Sequence, residues 1–281
     1  MKKKYSNMLF TNIFIEIIAV ILVLIIFGIP LFFIIINSAK SRVEAAQMNI
    51  MLPSVNLLLE NYKTVLTANN NMVIRAFLNS GYITILSVIG IVIVASMISF
   101  IMQRRRSKLL SIFGFLIFAG LIMPPSVVPT IWVLNNILLF KTKLGLILVE
   151  LALSLPFAVL IYRGFLSTIP KEIDQAAIID GCGIFRLFFS VIFPLLKPAT
   201  ATIIVLTSVT IFNDFTNPLY FLPGSENVTV QLSLYNFMSM YLTDWNLMFS
   251  GVVMISIPPL ILFIFFNKKL VAGITAGAVK G

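Results

Sequence analysis

Six stretches of this chain are apolar over the length of a membrane crossing, and that recurrence limits the available folds more than any other feature. They cover 13–36, 80–101, 109–131, 144–165, 195–215 and 247–266. A helix needs about 20 such residues to cross the roughly 30 Å hydrocarbon core of a bilayer. The expected fold class is therefore an all-α membrane protein with six transmembrane helices. Composition agrees: 59% of residues are hydrophobic and 11% charged, with a mean hydropathy of +1.06. Soluble domains hold roughly 45–50% apolar and ~25% charged residues. The fifth stretch is the most polar, with Thr200, Thr202, Thr207, Ser208 and Thr210.

A formal charge of +10 raises the question of nucleic acid. The basic residues do not form one stripe with interleaved aromatics, so no nucleic-acid partner is expected. They lie between the apolar runs, where they set topology. With the N-terminus inside, fourteen of the twenty Lys and Arg residues fall in inner segments. These include Lys2, Lys3, Lys4, Arg104, Arg105, Arg106, Lys108, Arg163 and Lys280. Cytoplasmic loops carry that excess, and an even number of spans puts both termini in the cytoplasm. The basic start resembles the head of a signal peptide. Its apolar run is too long for one and no small-residue cleavage site follows, so the segment reads as retained.

Several chemistries are excluded. The lone Cys182 cannot form an intramolecular disulfide or a cysteine zinc site, and the absence of His removes His-based triads and metal clusters. No metal site and no catalytic residue is expected. No Gly-x-x-x-x-Gly-Lys-Ser/Thr loop is present, so the chain is not an ATPase. A membrane-embedded enzyme would need convergent acids or a nucleophile–base pair, and none is visible.

Two loops exceed simple turns. The outer one, 37–79, holds a short helix around 57–66. The inner one, 167–197, is more informative. Pro170 suits a first helical position, and Glu172 and Asp174 in the first turn complement the helix dipole. Asp180 and Gly181 end that helix, with Gly181 able to take the left-handed cap conformation. Ala176, Ala177 and Gly181 leave a smooth surface for another protein. A second short apolar helix, 184–192, leads to Phe193 and Pro194. By physics alone an amphipathic helix lying on the membrane accounts for this loop equally well.

Gln175, Ala176 and Ala177, followed by three residues, Gly181, nine residues, and Val191-Ile192-Phe193-Pro194, resemble the EAA motif of bacterial ABC importer permeases. That pattern opens on Glu, where this chain has Gln175, and Val191 and Phe193 also depart from it. Glu60-Asn61-Tyr62, Phe77-Leu78-Asn79-Ser80, Met123-Pro124-Pro125, Phe212-Asn213-Asp214-Phe215 and the closing Gly277-Ala278-Val279-Lys280-Gly281 resemble the maltose-type carbohydrate permeases. The resemblance implies one permease domain over 1–281 in the bacterial cell membrane, serving ATP-driven uptake of a sugar or oligosaccharide. It implies a second permease subunit in a heterodimer, a cytoplasmic ATPase dimer and an extracellular sugar-binding protein. No cofactor is expected in this chain, ATP and Mg being bound by the partner ATPase. Glu172, Asp174, Gln175, Ala176, Ala177, Asp180, Gly181 and Phe185 are then the expected ATPase-coupling residues. With Gln175 in place of Glu, the charge would fall to Glu172, Asp174 or Asp180. The tail, with Gly277, Lys280 and Gly281, is expected to reach the ATPase.

Carboxylates at membrane depth are functional candidates. Glu150, in the outer part of the fourth run, and Asn213 with Asp214, at the outer end of the fifth, are candidate pathway residues. Glu16 sits near the cytoplasmic interface and carries less weight. The rival to an ABC permease is a self-contained secondary transporter or channel. It predicts broken helices in repeated halves and leaves the EAA-like loop unexplained.

Overall fold

The structure, a computed structural model, describes residues 14–240 and 244–278, with the side chains of 236–240, 262 and 266–278 excepted. Lys2, Lys3, Lys4, Lys280 and Gly281 lie outside the described residues. Every regular element among the described residues is helical. In chain order they are α1 (Phe14–Ser38), α2 (Arg42–Ala46), α3 (Leu58–Arg104), α4 (Lys108–Ala119), α5 (Val127–Asn136) and α6 (Lys143–Leu166). Then follow α7 (Glu172–Ile179), α8 (Ile184–Leu195), α9 (Lys197–Phe212), α10 (Thr216–Phe221), α11 (Val230–Met240) and α12 (Trp245–Ala278).

The helices α1, α3 and α6, and the Trp245–Phe265 part of α12, are each long and apolar enough to cross a membrane. The α8–α9 pair makes a fifth candidate, bent by 75°. The predicted helix at 109–131 is not continuous. It is split into α4 and α5, with Met123, Pro124 and Pro125 between them. Proline offers no N–H and pushes the residue before it out of the α region; at Pro124 and Pro125 the helix stops, whereas α12 runs on through Pro258 and Pro259. At 1.5 Å per residue α4 is about 18 Å long, short of a full crossing.

Two other prolines leave a different mark. A proline ring crowds the carbonyl four residues earlier. For Pro30 and Pro194 those carbonyls belong to Ile26 and Ser190. Each falls inside a π-helical stretch, Leu24–Gly28 in α1 and Leu187–Ile192 in α8. The wider turn keeps the helix running past the ring. In α3 the break at Ala68–Asn71 has another cause: Asn69, Asn70 and Asn71 all take left-handed φ values of 48°, 56° and 59°. Asn tolerates that region better than other side chains.

The chain forms two compact units. The first takes in the described residues up to Asn71 together with Leu234–Ser256. From Phe14 to Ile35 no α1 residue is buried, and Phe14, Leu24 and Phe27 are each more than 60% exposed. At the C-terminal end of α1 burial begins abruptly, and much of it is polar. Asn37, Ser38, Lys40, Asn61, Asn246 and Ser250 are all buried. The last carbonyls of a helix have no partners within it, and here side chains supply them. Asn61 Nδ2 donates to Ser38 O and Lys40 O, both at 2.9 Å, and Ser250 Oγ donates to Ser38 O at 3.1 Å. Asn246 Nδ2 in turn donates to Asn61 Oδ1 at 2.9 Å. The Lys40 ammonium donates to Asn37 Oδ1, Asn49 O and Asn49 Oδ1 at 2.7–3.0 Å. Next to it a capping box joins Ser41 and Glu44 at the start of α2, and hydrogen bonds from Ser54 and Ser41 pull the Glu44 carboxyl down to about 2.

The second unit comprises Met72–Ser233 and the chain from Ile257. Its core joins Ile91 and Ala95 of α3, Leu146, Ala158, Val159, Tyr162 and Leu166 of α6, Ile192 of α8 and Ile203 of α9, all buried. Lipid is as apolar as leucine, so helices within it are held by close packing and hydrogen bonds between them. Ser87, Ser96 and Ser99 of α3 are fully buried and small. Ser99 Oγ donates to Val159 O at 3.2 Å, and the Tyr162 and Thr200 hydroxyls meet at 2.9 Å. At the other end of this α3 segment Asn79 Nδ2 donates to Glu226 O and Val228 O at 3.0 Å, and Ser80 Oγ accepts from Val230 N at 2.9 Å.

Asn61→Leu keeps the number of side-chain heavy atoms and their branching but removes the donors to two buried carbonyls. An unmade buried hydrogen bond costs about 1–3 kcal/mol. We expect a lower thermal unfolding midpoint in detergent, and a smaller loss for Asn246→Ala, which removes one donor. Equal midpoints for Asn61→Leu and the wild type would disprove this account of the α1 terminus.

Candidate functional site

The inner loop folds into α7, a turn and α8. Pro170 lies outside the helix: the N-cap is Lys171, so α7 starts two residues later than its proline suggests. Glu172 and Asp174 occupy the first turn, as expected. The C-terminal turn closes with Gly181 N donating to Ile178 O at 3.0 Å and Cys182 N to Ala177 O at 2.9 Å. That is the Schellman pattern, and it requires the left-handed φ of +82° found at Gly181.

The two faces of α7 differ from the smooth surface read in the sequence. Ala177 is turned inward, 8% exposed, and packs in the core. Asp174 is also buried. Its carboxylate lies 2.7 Å from Arg104 Nε and accepts from Arg104 Nη2 at 3.1 Å. The same guanidinium donates through Nη1 and Nη2 to Ile169 O, each at 3.2 Å. Arg104, the last residue of α3, thus holds the segment entering α7 and its first turn. The outward edge carries Glu172, Gln175, Ala176, Asp180 and Gly181. Ile179 and Phe185 project from it, 85% and 71% exposed. What faces away from the protein is an apolar knob among acids, with Ala176 and Gly181 as its small residues.

A second site lies between α6 and α9. Glu150, Leu153, Ser154 and Phe157 follow helical spacing on one face of α6, as Leu206, Thr207 and Thr210 do on α9. Together with Asp214 and Asn217 they line a cavity of about 760 Å³, within the range of small-molecule sites. Glu150 is 3% exposed, and its Oε1 accepts from Asn217 Nδ2 at 3.1 Å. Asp214 Oδ1 accepts from Thr216 N and Asn217 N at 2.8 and 3.3 Å, which fixes the turn into α10. Asn213 does not join them: it is exposed and accepts from Gln231 Nε2 at 3.1 Å. Glu16 is exposed on α1. Gly277 falls near the end of α12.

Residues 95–275 match the protein family described as the binding-protein-dependent transport system inner membrane component. The chain belongs to that family. Among its relatives is the probable starch degradation products transport system permease protein AmyC of Thermoanaerobacterium thermosulfurigenes. The two are 35% identical over 253 residues, covering 89% of this chain and 91% of that one. The melibiose/raffinose/stachyose import permease protein MelC of Bacillus subtilis is 34% identical over 210 residues, covering 74% of this chain and 76% of its own. A solved bacterial ABC transporter that imports the acidic polysaccharide alginate contains a chain of the same fold. Its TM-score is 0.78 at 21% identity, over 94% of this chain and 97% of that one. The resemblance to carbohydrate ABC importer permeases therefore holds, and the chain is an integral inner membrane component of such a transport system.

For a member of this binding-protein-dependent family, sequence reasoning missed Arg104 and Asn217. In the sequence Arg104 is only one of fourteen inner basic residues. What sets it apart is that it ends an apolar helix, where its stem stays buried and its head meets the next loop. Asn217 lies three residues beyond Asp214, close enough for one turn to bring both to Glu150.

Removing one partner of a buried ion pair strands the other, at a cost of about 3–5 kcal/mol. Arg104→Gln should therefore loosen α7, seen as at least about tenfold faster amide exchange across 169–182. The Arg104→Gln/Asp174→Asn double variant should recover part of that protection, because no charge is left unpaired. Unchanged exchange in the single variant would show that the pair does not hold the loop.

Proposed function

We propose that this chain is one half of a heterodimeric permease that imports oligosaccharides, driven by a separate ATPase dimer that docks on α7. The observation that carries the reading is the outward edge of α7 and the start of α8. Exposed apolar side chains beside acids, on a helix clamped from behind by Arg104, suit a partner protein better than water. The substrate class is supported by the names of the relatives, which handle starch degradation products or melibiose, raffinose and stachyose. An extracellular sugar-binding protein delivers the substrate, in keeping with the family's description.

In this reading the whole of 1–281 serves as one permease domain with six spans and both termini in the cytoplasm. The split α4–α5 region supplies one crossing and α8–α9 another. The segment 167–197 is the coupling loop and 37–79 faces outside. ATP and Mg stay with the partner, and this chain holds no cofactor. Gly277, Lys280 and Gly281 reach the ATPase. Gln175 contributes a hydrogen bond where the motif has Glu, and Glu172 and Asp180 carry the charge. Asp174 is engaged by Arg104 and acts by positioning the helix. The cavity at Glu150 and Asp214 lines the pathway, its Thr, Ser and Asn groups suited to hydroxyls and Phe157 to a sugar face.

The docking reading predicts that Ile179→Asp and Gly181→Val both release the ATPase. Neither touches the core: Ile179 is exposed, and a Cβ on Gly181 meets nothing within 4 Å. The valine adds backbone strain of roughly 1–2 kcal/mol at a left-handed position, and each 1.4 kcal/mol is about tenfold in affinity. In proteoliposomes with the partner subunits, both variants should insert normally yet lose ATP-dependent uptake and ATPase capture. Retention of both at wild-type levels would leave this loop a surface helix.

The topology is checked by labelling single cysteines in a Cys182→Ser background. Arg105→Cys and Gly277→Cys should react only from the cytoplasm, and Lys63→Cys and Ser225→Cys only from outside. Reversal at any two of these positions ends the six-span reading.

A further inference from the structure

The turn from α3 into α4 opens onto a second cavity, of about 940 Å³, lined by none of the residues assigned above to the coupling loop or to the cavity at Glu150. Arg105, Arg106, Lys108 and Arg163 line it, and no acidic residue does. Four cations brought together without a carboxylate repel one another unless an anion joins them. Arg163 sharpens the point. Its guanidinium stacks 5.5 Å from the Phe118 ring centroid, and its Nε is buried without a hydrogen-bond acceptor. No carboxylate pairs with it among the described residues. That nitrogen is shielded by the protein, so what the cavity meets is the rest of the guanidinium, held against the ring and carrying a charge that no acid among the described residues offsets. The α4 N-terminus borders the same space through Ser107 and Ser111, adding the positive end of a helix dipole.

The other wall is apolar. Phe115, 73% exposed, lines the cavity and continues into an outward face of α4 formed by Leu109, Ile112 and Leu116, each more than half exposed. A soluble phosphate would use the basic end alone. A molecule with an anionic head and acyl chains would use both, and α4 belongs to the membrane part of the chain. Basic pockets at the ends of spans are the usual seats of anionic lipid heads.

We propose that this cavity binds one anionic phospholipid, its phosphate diester held by Arg163, Arg105 and Arg106 and its chains lying along Phe115 and the outer face of α4. The proposal needs the chain to sit in a bilayer but not the ATPase or the sugar, so it can fail while the transport reading stands.

The test is native mass spectrometry of the full-length chain released from vesicles of phosphatidylcholine containing a minority of phosphatidylglycerol. The wild type should retain one phosphatidylglycerol after phosphatidylcholine has been stripped. Arg163→Met, which keeps an apolar stem over Phe118, should lower that retention at least about tenfold, whereas Arg163→Lys should keep most of it. If Arg163→Met fails to insert, the exposed pair Arg105→Gln/Arg106→Gln decides, and it too should lose the lipid. Equal retention of the two lipids, or retention unchanged in the variants, overturns the proposal. So does displacement of phosphatidylglycerol by inorganic phosphate alone, which would assign the cavity to a soluble phosphate compound. Loss of lipid only when the ATPase is added would assign it to a partner's acidic segment, and would also overturn it.

Discussion

A backbone carbonyl removed from water must find a donor, and in lipid it must find one within the protein. Much of the irregular geometry described here follows from that requirement. The two π-helical stretches sit where a proline ring would otherwise strike a carbonyl. The C-terminal end of α1, which turns from lipid-exposed to fully buried within a few residues, has its last carbonyls answered by Asn61 and Ser250. Glu226 and Val228 carbonyls are answered by Asn79. Apart from the prolines, the polar side chains of greatest structural consequence are amides and hydroxyls, which donate without bringing a charge.

Charge enters at the ends of the spans, and there each case is handled differently. Lys40 is buried but surrounded by three oxygen acceptors. Arg104 is paired with Asp174 and with a carbonyl, so its charge organises a loop. Arg163 is stacked on an aromatic ring with a donor left over. The same residue type, on two different helices, serves one internal contact and one wall of an open cavity, and the difference is whether an acid lies within reach.

Much of this was legible in the sequence. The apolar runs located α1, α6, α9 and the Trp245–Phe265 part of α12 closely, and Glu172, Asp174 and Gly181 marked both ends of α7. The errors have physical causes. An apolar run says nothing of continuity, so Pro124 and Pro125 split a stretch whose average hydropathy was unbroken. Asn69 to Asn71 allowed the helix after the break in α3 to start well before the apolar run does. Ala177 was read as outward because small residues suit an interface, but they suit a core equally, and only the position of Arg104 and Asp174 decides which side of α7 faces in. The meeting of Glu150, Asp214 and Asn217 is a long-range contact, invisible until α6 and α9 are packed.

One consequence concerns the α3 segment between Asn79 and Arg104. It is tied at both ends, to the chain at 226–230 through Asn79 and Ser80, and to α7 through Arg104. At 1.5 Å per residue the ties are about 37 Å apart, somewhat more than the hydrocarbon thickness of ~30 Å. The segment is a strut. A tilt of only ~5° about one end moves the other by about 3 Å, more than a hydrogen bond can stretch. With Asn79 as the pivot, α7 can therefore swing sideways while those bonds hold, whereas a displacement of α7 along the strut either carries the chain at 226–230 with it or breaks the bonds at Asn79. Such a member is directional, passing on an axial push and yielding to a lateral one.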